Sequence, residues 1–207
     1  DSTVYALDAS DGTKQWTVET GGTVRSSPAV VDGTVYVGSG DRTVYALDAS
    51  DSTQQWTFES RGRVYSSPAV VDDTVYIGSN DSTVYALDAS DGTTQWAVET
   101  GNIVGSSPAV VDGTVYVGSG DNTVNALDAS DGTQQWTFET GHYVLSSPAV
   151  VDDTVYVGSY DSTVYALDAS DGTQRWAFQT EHFVTSPPAV VDDTVYVGSS
   201  DKTVYAL

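Results

Sequence analysis

Tryptophan recurs in this chain at a fixed interval of forty residues, and the sequence around each copy is nearly identical. The five copies are Trp16, Trp56, Trp96, Trp136 and Trp176. A long period of this size is typical of repeat architectures, in which a unit needs its neighbours to bury its apolar face. The repeats are 1–40, 41–80, 81–120, 121–160 and 161–200, with a partial repeat 201–207. They predict a single domain over residues 1–207.

Each repeat contains four short segments with the composition of β-strands, rich in Val, Thr, Tyr and Trp. In the unit that runs from Ser26 to Ser60 we predict strands A to D at Ser27–Val31, Thr34–Gly38, Thr43–Leu47 and Gln55–Glu59. Turn residues separate these segments, and none of them has the period of a helix. Four short antiparallel strands in forty residues indicate a blade of a β-propeller, an all-β fold. A β-solenoid, the alternative, usually has shorter coils.

The segment Ala6–Trp16 reads ALDASDGTKQW and has the form A-x-D-x-x-x-G-x-x-x-W. It resembles the tryptophan-docking motif of PQQ-like propeller repeats, which are found in quinoprotein dehydrogenases and in BamB-type assembly factors. The motif recurs in every full repeat, although Ser52 replaces the glycine in one copy and all copies have Asp where the family commonly has Thr. The resemblance implies that the five tryptophans pack between neighbouring blades as structural residues.

Strand C occurs six times in the chain, whereas strands A, B and D each occur five times. We predict five blades, closed by mixing the termini, so that the last A and B strands share a sheet with the first C and D strands. Such mixing would remove an exposed sheet edge. One C strand, DSTVYAL at the start or DKTVYAL at the end, is then redundant, which also predicts self-association through a terminal strand. The alternative is an arc of a larger ring.

The composition is strongly acidic, with 29 acidic residues, 7 basic residues and a formal net charge of −22. This charge argues against nucleic acid and anionic membrane surfaces as partners. No apolar run is long enough to span a membrane, and the absence of Cys excludes disulfides and thiolate chemistry. Dense carboxylates are typical of proteins from halophilic organisms, so we expect an extracellular or cell-surface protein of such an organism. Because the chain contains no Met, we expect a preceding segment that was removed or lies outside this sequence.

The copies differ mainly in two places, the D–A connections and the B–C turns. In an up-and-down blade these segments emerge on the same face, which we call the variable face. Most of the basic residues and both histidines lie there, together with several aromatic residues. Because Arg and Tyr are favoured at binding hot spots, and loops on rigid scaffolds carry recognition residues, we predict a binding surface. Its candidate residues are Arg25, Arg42, Arg61, Arg63, Tyr65, His142, Tyr143, Tyr160, His182, Phe183 and Lys202.

These features predict a non-enzymatic scaffold that binds a protein or a cell-surface polymer. A lectin-like carbohydrate-binding module is the alternative, and a fragment of a PQQ-dependent dehydrogenase is less favoured. The resemblance implies that such an enzyme needs a quinone, a calcium ion, a catalytic Asp and commonly adjacent cysteines, but here Cys is absent and every Asp belongs to the repeat pattern. We therefore predict no catalytic residue, no cofactor and no metal site. Asn80 begins an N-glycosylation acceptor triplet, which would be used only in an extracellular chain.

Overall fold

The computed structural model describes residues Asp1–Leu207 and contains twenty-one β-strands and no helix. The strands are β1 (Thr3–Leu7), β2 (Lys14–Glu19), β3 (Ala29–Val31), β4 (Thr34–Gly38), β5 (Thr43–Asp48), β6 (Gln54–Glu59), β7 (Ala69–Val71), β8 (Thr74–Gly78), β9 (Thr83–Asp88), β10 (Thr94–Glu99), β11 (Ala109–Val111), β12 (Thr114–Gly118), β13 (Thr123–Asp128), β14 (Gln134–Glu139), β15 (Ala149–Val151), β16 (Thr154–Gly158), β17 (Thr163–Asp168), β18 (Gln174–Gln179), β19 (Ala189–Val191), β20 (Thr194–Gly198) and β21 (Val204–Ala206). Because the protein contains no helix, it has none that could cross a membrane.

Four complete sheets have the up-and-down order predicted for propeller blades. They are β3-β4-β5-β6, β7-β8-β9-β10, β11-β12-β13-β14 and β15-β16-β17-β18, and all neighbouring strands are antiparallel. The four-stranded blade fold predicted from the repeat is therefore confirmed. Each C–D pair contains a register shift, for example between Ala46 and Leu47. Such a bulge bends the strand and increases its twist.

The predicted strand boundaries change at three places in the blade. Strand D begins at Gln54 rather than Gln55, because Gln54 pairs with Leu47 beyond the register shift. Strand A begins at Ala29 rather than Ser27, because Pro28 has no backbone N–H to donate to a ladder. Strand C extends to Asp48, which lies opposite Thr34 of strand B. The A–B turn has positive φ at Asp32 (48°) and Gly33 (78°). This is the pattern of a type I′ hairpin turn, which suits the Asp-Gly dipeptide.

The first and last strands form two separate, incomplete sheets. β1 pairs only with β2, and β20 pairs with β19 and β21. β1 and the segment that contains β21 share the sequence TVYAL, so the C-terminal copy takes the place beside β20 that a mixed blade would give to β1. Of the two C strands that the sequence offered as redundant, β1 is therefore the one that does not pair with β20. Closure into five blades stays a prediction.

Neighbouring sheets pack against each other through apolar side chains. One buried cluster joins Tyr36 and Trp56 of one sheet to Val75, Ile77 and Leu87 of the next. Two further clusters repeat this contact along the chain. Burial of such side chains contributes about 1.5 to 3 kcal/mol each, so these contacts dominate the stability of the fold.

The A strands of successive sheets contact each other in chain order, which places them at the centre of the arrangement. There the backbone N–H of Ser27 donates to the Ser67 side chain at 2.8 Å, and Ser67 and Ser107 repeat this bond with the following serines at 2.8 and 2.9 Å. This series of hydrogen bonds ends at Ser147, because Pro187 occupies the position of the next serine. A side-chain bond from Ser146 to the Ser186 carbonyl, at 2.9 Å, joins the last two A strands instead.

Candidate functional site

The D–A connections and the B–C turns lie against each other on one face. In each repeat the backbone N–H of the residue that follows the Ser of the turn donates to a carbonyl of the preceding D–A connection. The pairs are Gly40 with Thr23, Asn80 with Arg63, Gly120 with Ile103, Tyr160 with Tyr143 and Ser200 with Phe183, at 2.8 to 2.9 Å. Segments about seventeen residues apart in sequence thus form one continuous surface.

A constant Asp in each B–C turn holds this surface in place. Asp41 Oδ2 accepts hydrogen bonds from the Gly21 backbone N–H at 2.6 Å and from the Tyr45 hydroxyl at 2.7 Å. Asp81 does the same with the Arg61 N–H and Tyr85, both at 2.9 Å. Burial by itself would raise the pKa of Asp81, but these hydrogen bonds lower it below its usual value. The carboxylate therefore stays charged and fixes the base of each connection.

A constant valine anchors the middle of each D–A connection from below. Val64, Val104, Val144 and Val184 are fully buried. Val64 fills the space above Gly38, where an added Cβ would lie 2.6 Å from the Val64 Cγ1. The alignment of the repeats with one another led us to treat every residue of these connections as variable. The valines were therefore missed, although a valine occurs at this position in every repeat. The variable residues therefore stand on a rigid base.

The cationic candidates gather around the first two D–A connections. Arg25, Arg61 and Arg63 are exposed, and none has a carboxylate within 4.0 Å. The Arg25 guanidinium lies 5.0 Å from the centre of the Tyr65 ring, in cation–π geometry. These residues of neighbouring repeats form a patch, which we call the arginine patch: Arg25, Arg61, Arg63 and Tyr65.

The two remaining cationic candidates, Arg42 and Lys202, lie in B–C turns. Arg42 pairs with Glu59 at 3.2 Å through an exposed contact, and exposed pairs of this kind contribute about 0 to 1 kcal/mol. Lys202 is exposed in the last B–C turn. Both residues have positive φ, 79° for Arg42 and 73° for Lys202, as the turn requires.

The aromatic candidates come together at the other end of the variable face. The rings of Tyr160 and Phe183 stack with their centres 4.8 Å apart and an interplanar angle of 17°. The centre of the His142 ring lies 6.0 Å from that of Tyr160, and the centre of the Tyr143 ring lies 6.2 Å from it. His182 contacts Phe183 edge to face at 4.0 Å. We call this group the aromatic cluster: His142, Tyr143, Tyr160, His182 and Phe183.

Both histidines use one ring nitrogen within their own loop. His142 Nδ1 accepts the Tyr143 backbone N–H at 2.8 Å, and His182 Nδ1 accepts the Phe183 N–H at 3.0 Å. In the neutral rings the proton is therefore on Nε2, which can donate to a ligand. No Ser or Cys nucleophile is hydrogen-bonded to either imidazole. The cluster has the chemistry of a stacking and hydrogen-bonding surface.

Asn80, the candidate glycosylation residue, lies in the B–C turn beside the arginine patch. Its side chain is half-buried, and its backbone N–H donates to the Arg63 carbonyl at 2.8 Å. Use of the acceptor triplet stays a prediction.

The opposite face carries the constant A–B and C–D turns and contains repeated clefts between sheets. One cleft, of about 840 Å³, is lined by Tyr36, Gln55, Asp73 and Asp88 among others. An equivalent cleft of about 650 Å³ is lined by Tyr116, Gln135, Asp153 and Arg175. Arg175 donates to Asp168 at 2.9 Å, and a hydrogen bond from Ser170 together with this arginine lowers the Asp168 pKa to about 2. The structure contains no group of three or more His, Asp or Glu side chains arranged to hold a metal ion.

The tryptophans make the same contact in four successive repeats. The indole N–H of Trp16, Trp56, Trp96 and Trp136 donates to the carbonyl of an alanine thirty-three residues later, at 2.8 to 2.9 Å. Trp56, Trp96 and Trp136 are buried, whereas Trp16, in the two-stranded sheet, and Trp176, in the last complete sheet, are half-buried.

Comparison with known structures places this fold among propeller proteins. The chain aligns with BamB from Moraxella catarrhalis at a TM-score of 0.83 and 23% identity, covering 94% of this chain and 64% of that protein. It aligns with a computationally designed protein at a TM-score of 0.79 and 20% identity, covering 86% of this chain and 56% of the other. It also aligns with a quinohemoprotein alcohol dehydrogenase from Comamonas testosteroni at a TM-score of 0.80 and 20% identity, covering 90% and 41% of the two chains. The chain thus spans less than two thirds of these proteins, and the likeness concerns the fold.

Sequence comparison identifies the family. No individually curated protein sequence is significantly similar to this chain. The family model described as outer membrane protein assembly factor BamB matches residues 1–104 and 96–207, which together cover the whole chain. The chain therefore belongs to the BamB-type family of PQQ-like β-propeller repeat proteins.

Proposed function

We propose that this protein is a non-enzymatic propeller scaffold, folded as one domain, that binds a protein or a cell-surface polymer through its variable face. The observation that carries the proposal is the segregation of residue types. The arginine patch and the aromatic cluster lie on one face, whereas the A–B and C–D turns of the other face are nearly constant and rich in Asp. Random change in permissive loops would favour scattered small polar residues instead. The name of the matching family describes an assembly factor, which fits a scaffold.

The arginine patch favours a partner that carries acidic groups. The protein has a net charge of −22, so most anionic molecules are repelled at long range. Arg25, Arg61 and Arg63 have no carboxylate partner within the chain. Their guanidinium groups remain available for bidentate hydrogen bonds to carboxylates of a partner. Salt would screen the general repulsion while leaving such short contacts in place.

The aromatic cluster favours a partner with flat apolar groups. Tyr143 and Phe183 are 40% and 39% exposed, which is unusual for large aromatic side chains on so polar a surface. Aromatic side chains bury a large area at low cost in conformational entropy. The cluster would therefore supply most of the affinity, and the arginine patch would supply orientation.

A carbohydrate-binding role is the second candidate, and the stacked pair Tyr160 and Phe183 favours it, because sugar rings pack on exposed aromatic faces. The cluster occurs once, however, since the equivalent positions in the other repeats lack these rings. A lectin built from repeats would carry similar pockets in every blade. One composite site therefore suits a protein or an extended polymer better.

We propose no catalytic activity and no quinone or metal cofactor, and the test is direct. The protein is incubated with PQQ and calcium, and its absorption spectrum is recorded after removal of unbound quinone. We expect no retained chromophore. Stoichiometric retention of quinone would favour the dehydrogenase-like alternative.

The binding proposal can be tested with two variants and one matched control. We propose Arg61→Ala/Arg63→Ala/Tyr65→Ala in the arginine patch and Tyr143→Ala/Tyr160→Ala/Phe183→Ala in the aromatic cluster. The control Asp72→Asn/Asp73→Asn alters the opposite face. Peptide and polysaccharide arrays are used as probes. Loss of hot-spot residues should weaken binding at least about tenfold, whereas the control should bind like the parent. Equal binding by all variants would contradict a role for this face.

We also propose an extracellular or cell-surface setting in a halophilic organism, which would be compatible with glycosylation at Asn80. The test is the salt dependence of unfolding. Lowering the salt concentration should destabilise the fold, because repulsion among 29 acidic residues is then less screened. Identical urea midpoints in molar and millimolar salt would contradict the halophile interpretation.

A further inference from the structure

Two equivalent clefts on the face opposite the variable face differ in one basic residue. The cleft of about 840 Å³, which we call the open cleft, lies between the sheets β3–β6 and β7–β10. The cleft of about 650 Å³, which we call the filled cleft, lies between the sheets β11–β14 and β15–β18. Every residue that lines the open cleft recurs with the same identity in the filled cleft, and the filled cleft has Arg175 in addition. The counterpart of Arg175 in the repeat register is Gln95, which does not line the open cleft.

Arg175 shows how a guanidinium group is held in this setting. Its Nη2 donates to Asp168 Oδ2 at 2.9 Å, and its Nη1 donates to Thr154 Oγ1 at 2.6 Å. Hydrogen bonds between a guanidinium and a carboxylate are stronger than those between neutral groups. The filled cleft is also the smaller of the two. The chain itself therefore provides an example of the group that a cleft of this kind accepts.

The open cleft has the same acidic groups without a basic one. Four carboxylates line it: Asp32, Asp72, Asp73 and Asp88. No basic side chain lies within 4.0 Å of any of them. Hydrogen bonds from the Ser90 hydroxyl and backbone N–H hold the pKa of Asp88 below its usual value, so this carboxylate is charged at neutral pH. Gln95 is neutral and leaves that charge uncompensated.

One of these carboxylates occupies a backbone position that favours glycine. Asp73 has a φ of 60°, and the corresponding residue of the neighbouring A–B turns is Gly33 or Gly113. Glycine adopts this conformation without steric cost, so the turn itself gains nothing from Asp73. Asp153 replaces glycine in the same way beside the filled cleft, with a φ of 57°. Both clefts therefore carry a carboxylate that the geometry of the turn does not require.

The open cleft also offers an apolar surface for the rest of an arginine side chain. Val31 and Val71, each 37% exposed, line it together with Val70. Arginine packs its aliphatic stem along apolar surface while its charged end stays near water. A metal ion would make no use of the valines, and no three acidic side chains of the cleft are arranged to hold one. The lining therefore matches an extended cation with an apolar stem.

We propose that the open cleft binds the guanidinium group of an arginine side chain presented by a partner protein or peptide. The guanidinium lies against Asp88 and Asp73, and the aliphatic stem lies on Val31 and Val71. The net charge of −22 attracts a basic segment at long range. This site is on the face opposite the variable face and does not rest on the proposed function. Because the arginine patch favours acidic partners, a basic probe distinguishes the cleft from that patch.

The probe is acetyl-arginine amide, and the control is acetyl-citrulline amide, which has nearly the same shape but no charge. Binding is followed by NMR of the backbone amides of isotope-labelled protein at constant ionic strength. We expect a saturable shift at Ala89 and Ser90 with the arginine amide and none with the citrulline amide. A short peptide with one arginine should produce the same shifts.

Three variants test whether the binding is in the cleft. Asp88→Asn removes the charge but retains the Oδ1 that accepts from Ser90, and it should weaken binding about tenfold. Gln95→Arg places the chain's own guanidinium where Arg175 lies in the filled cleft, and it should abolish the shift. Arg175→Gln should open the second cleft and produce a new shift at Ser170. Urea midpoints close to that of the parent verify that each variant folds.

Three results would overturn the proposal. Shifts that do not saturate and that spread over Asp turns throughout the chain would show a general attraction of cations. Unchanged binding in Gln95→Arg, or in Arg175→Gln alone if the first variant does not fold, would place the probe outside the cleft. Equal binding of acetyl-lysine amide would contradict recognition of the planar guanidinium group.

Discussion

Gly172→Ala isolates the contribution of one contact between a tryptophan and the turn of the next blade. Gly172 has a φ of +74°, and a Cβ added there would lie 2.6 Å from the Trp136 ring. Gly12 has nearly the same φ, +73°, but an added Cβ would meet nothing within 4 Å. Gly12→Ala is therefore a matched control that carries the backbone strain without the collision.

The expected magnitudes follow from these two terms. An alanine in the left-handed region costs about 1 to 2 kcal/mol, and forcing an extra methyl group into a packed contact costs about 1 to 3 kcal/mol. We expect Gly172→Ala to lose roughly 2 to 5 kcal/mol and Gly12→Ala roughly 1 to 2 kcal/mol. For a chain of this length each kcal/mol lowers the melting temperature by about 2 to 4 °C.

The assay is urea unfolding, followed by tryptophan fluorescence. The protein concentration is kept low enough for the chain to be monomeric, so that no second chain contacts Gly12. The emission should also shift in Gly172→Ala, because the buried Trp136 is displaced. Equal losses in the two variants, within about 0.5 kcal/mol as for independent surface changes, would refute the idea that the turn rests on the indole.

Three further predictions concern single positions. Arg175→Gln, which restores the residue of the other repeats, should raise the Asp168 pKa from about 2, since it removes a hydrogen bond and a positive charge; carboxyl NMR titration would detect the change. The stabilisation from this carboxylate, present above pH 3.8 and lost as pH falls toward 2, should then be lost at a higher pH. Burial and the bond to Asp161 raise the Tyr165 pKa from 10.0 to about 12, so its contribution should be complete below pH 10 and decline as pH rises toward 12, and Tyr165→Phe should flatten the alkaline decline in unfolding free energy. Asn125→Tyr should gain about 1 kcal/mol by restoring a hydroxyl bond to Asp121, as Tyr45 makes to Asp41 at 2.7 Å; a lower urea midpoint would contradict this.

The repeat alone was enough to predict the blade, because period-two patterns and Asp-Gly turns act locally. Strand B was placed correctly at Thr34–Gly38. The three boundary errors have local causes: the missing N–H of Pro28, the pairing of Asp48 with Thr34 and the pairing of Gln54 with Leu47. The choice between β1 and β21 as the neighbour of β20 could not be made from sequence, because both segments read TVYAL. The structure makes that choice through chain connectivity.

The sequence predicted which face of the fold carries the candidate residues, but it did not predict how their side chains are arranged there. Up-and-down topology alone brings the variable segments to one side. The stacking of Tyr160 on Phe183 depends on the angle between neighbouring blades, which no local pattern encodes. The sequence alone does not explain why Asn125 replaces the Tyr found at this position in every other strand C. In the structure it is buried and donates to the Thr123 hydroxyl at 2.8 Å, replacing the Tyr-to-Asp bond of the other repeats with a shorter-range one.

The near-identity of the strands has a consequence for how the chain reaches its native state. The sequence TVYVG is shared by β4, β12, β16 and β20, so a strand C that searches for its partner meets several equally complementary ones. Only the length of the intervening loop separates them. Closing a loop of forty residues instead of about four costs roughly 2 kcal/mol more in chain entropy. Proximity along the backbone therefore selects the native partner, and refolding should become slower and more prone to exchanged strands as concentration rises.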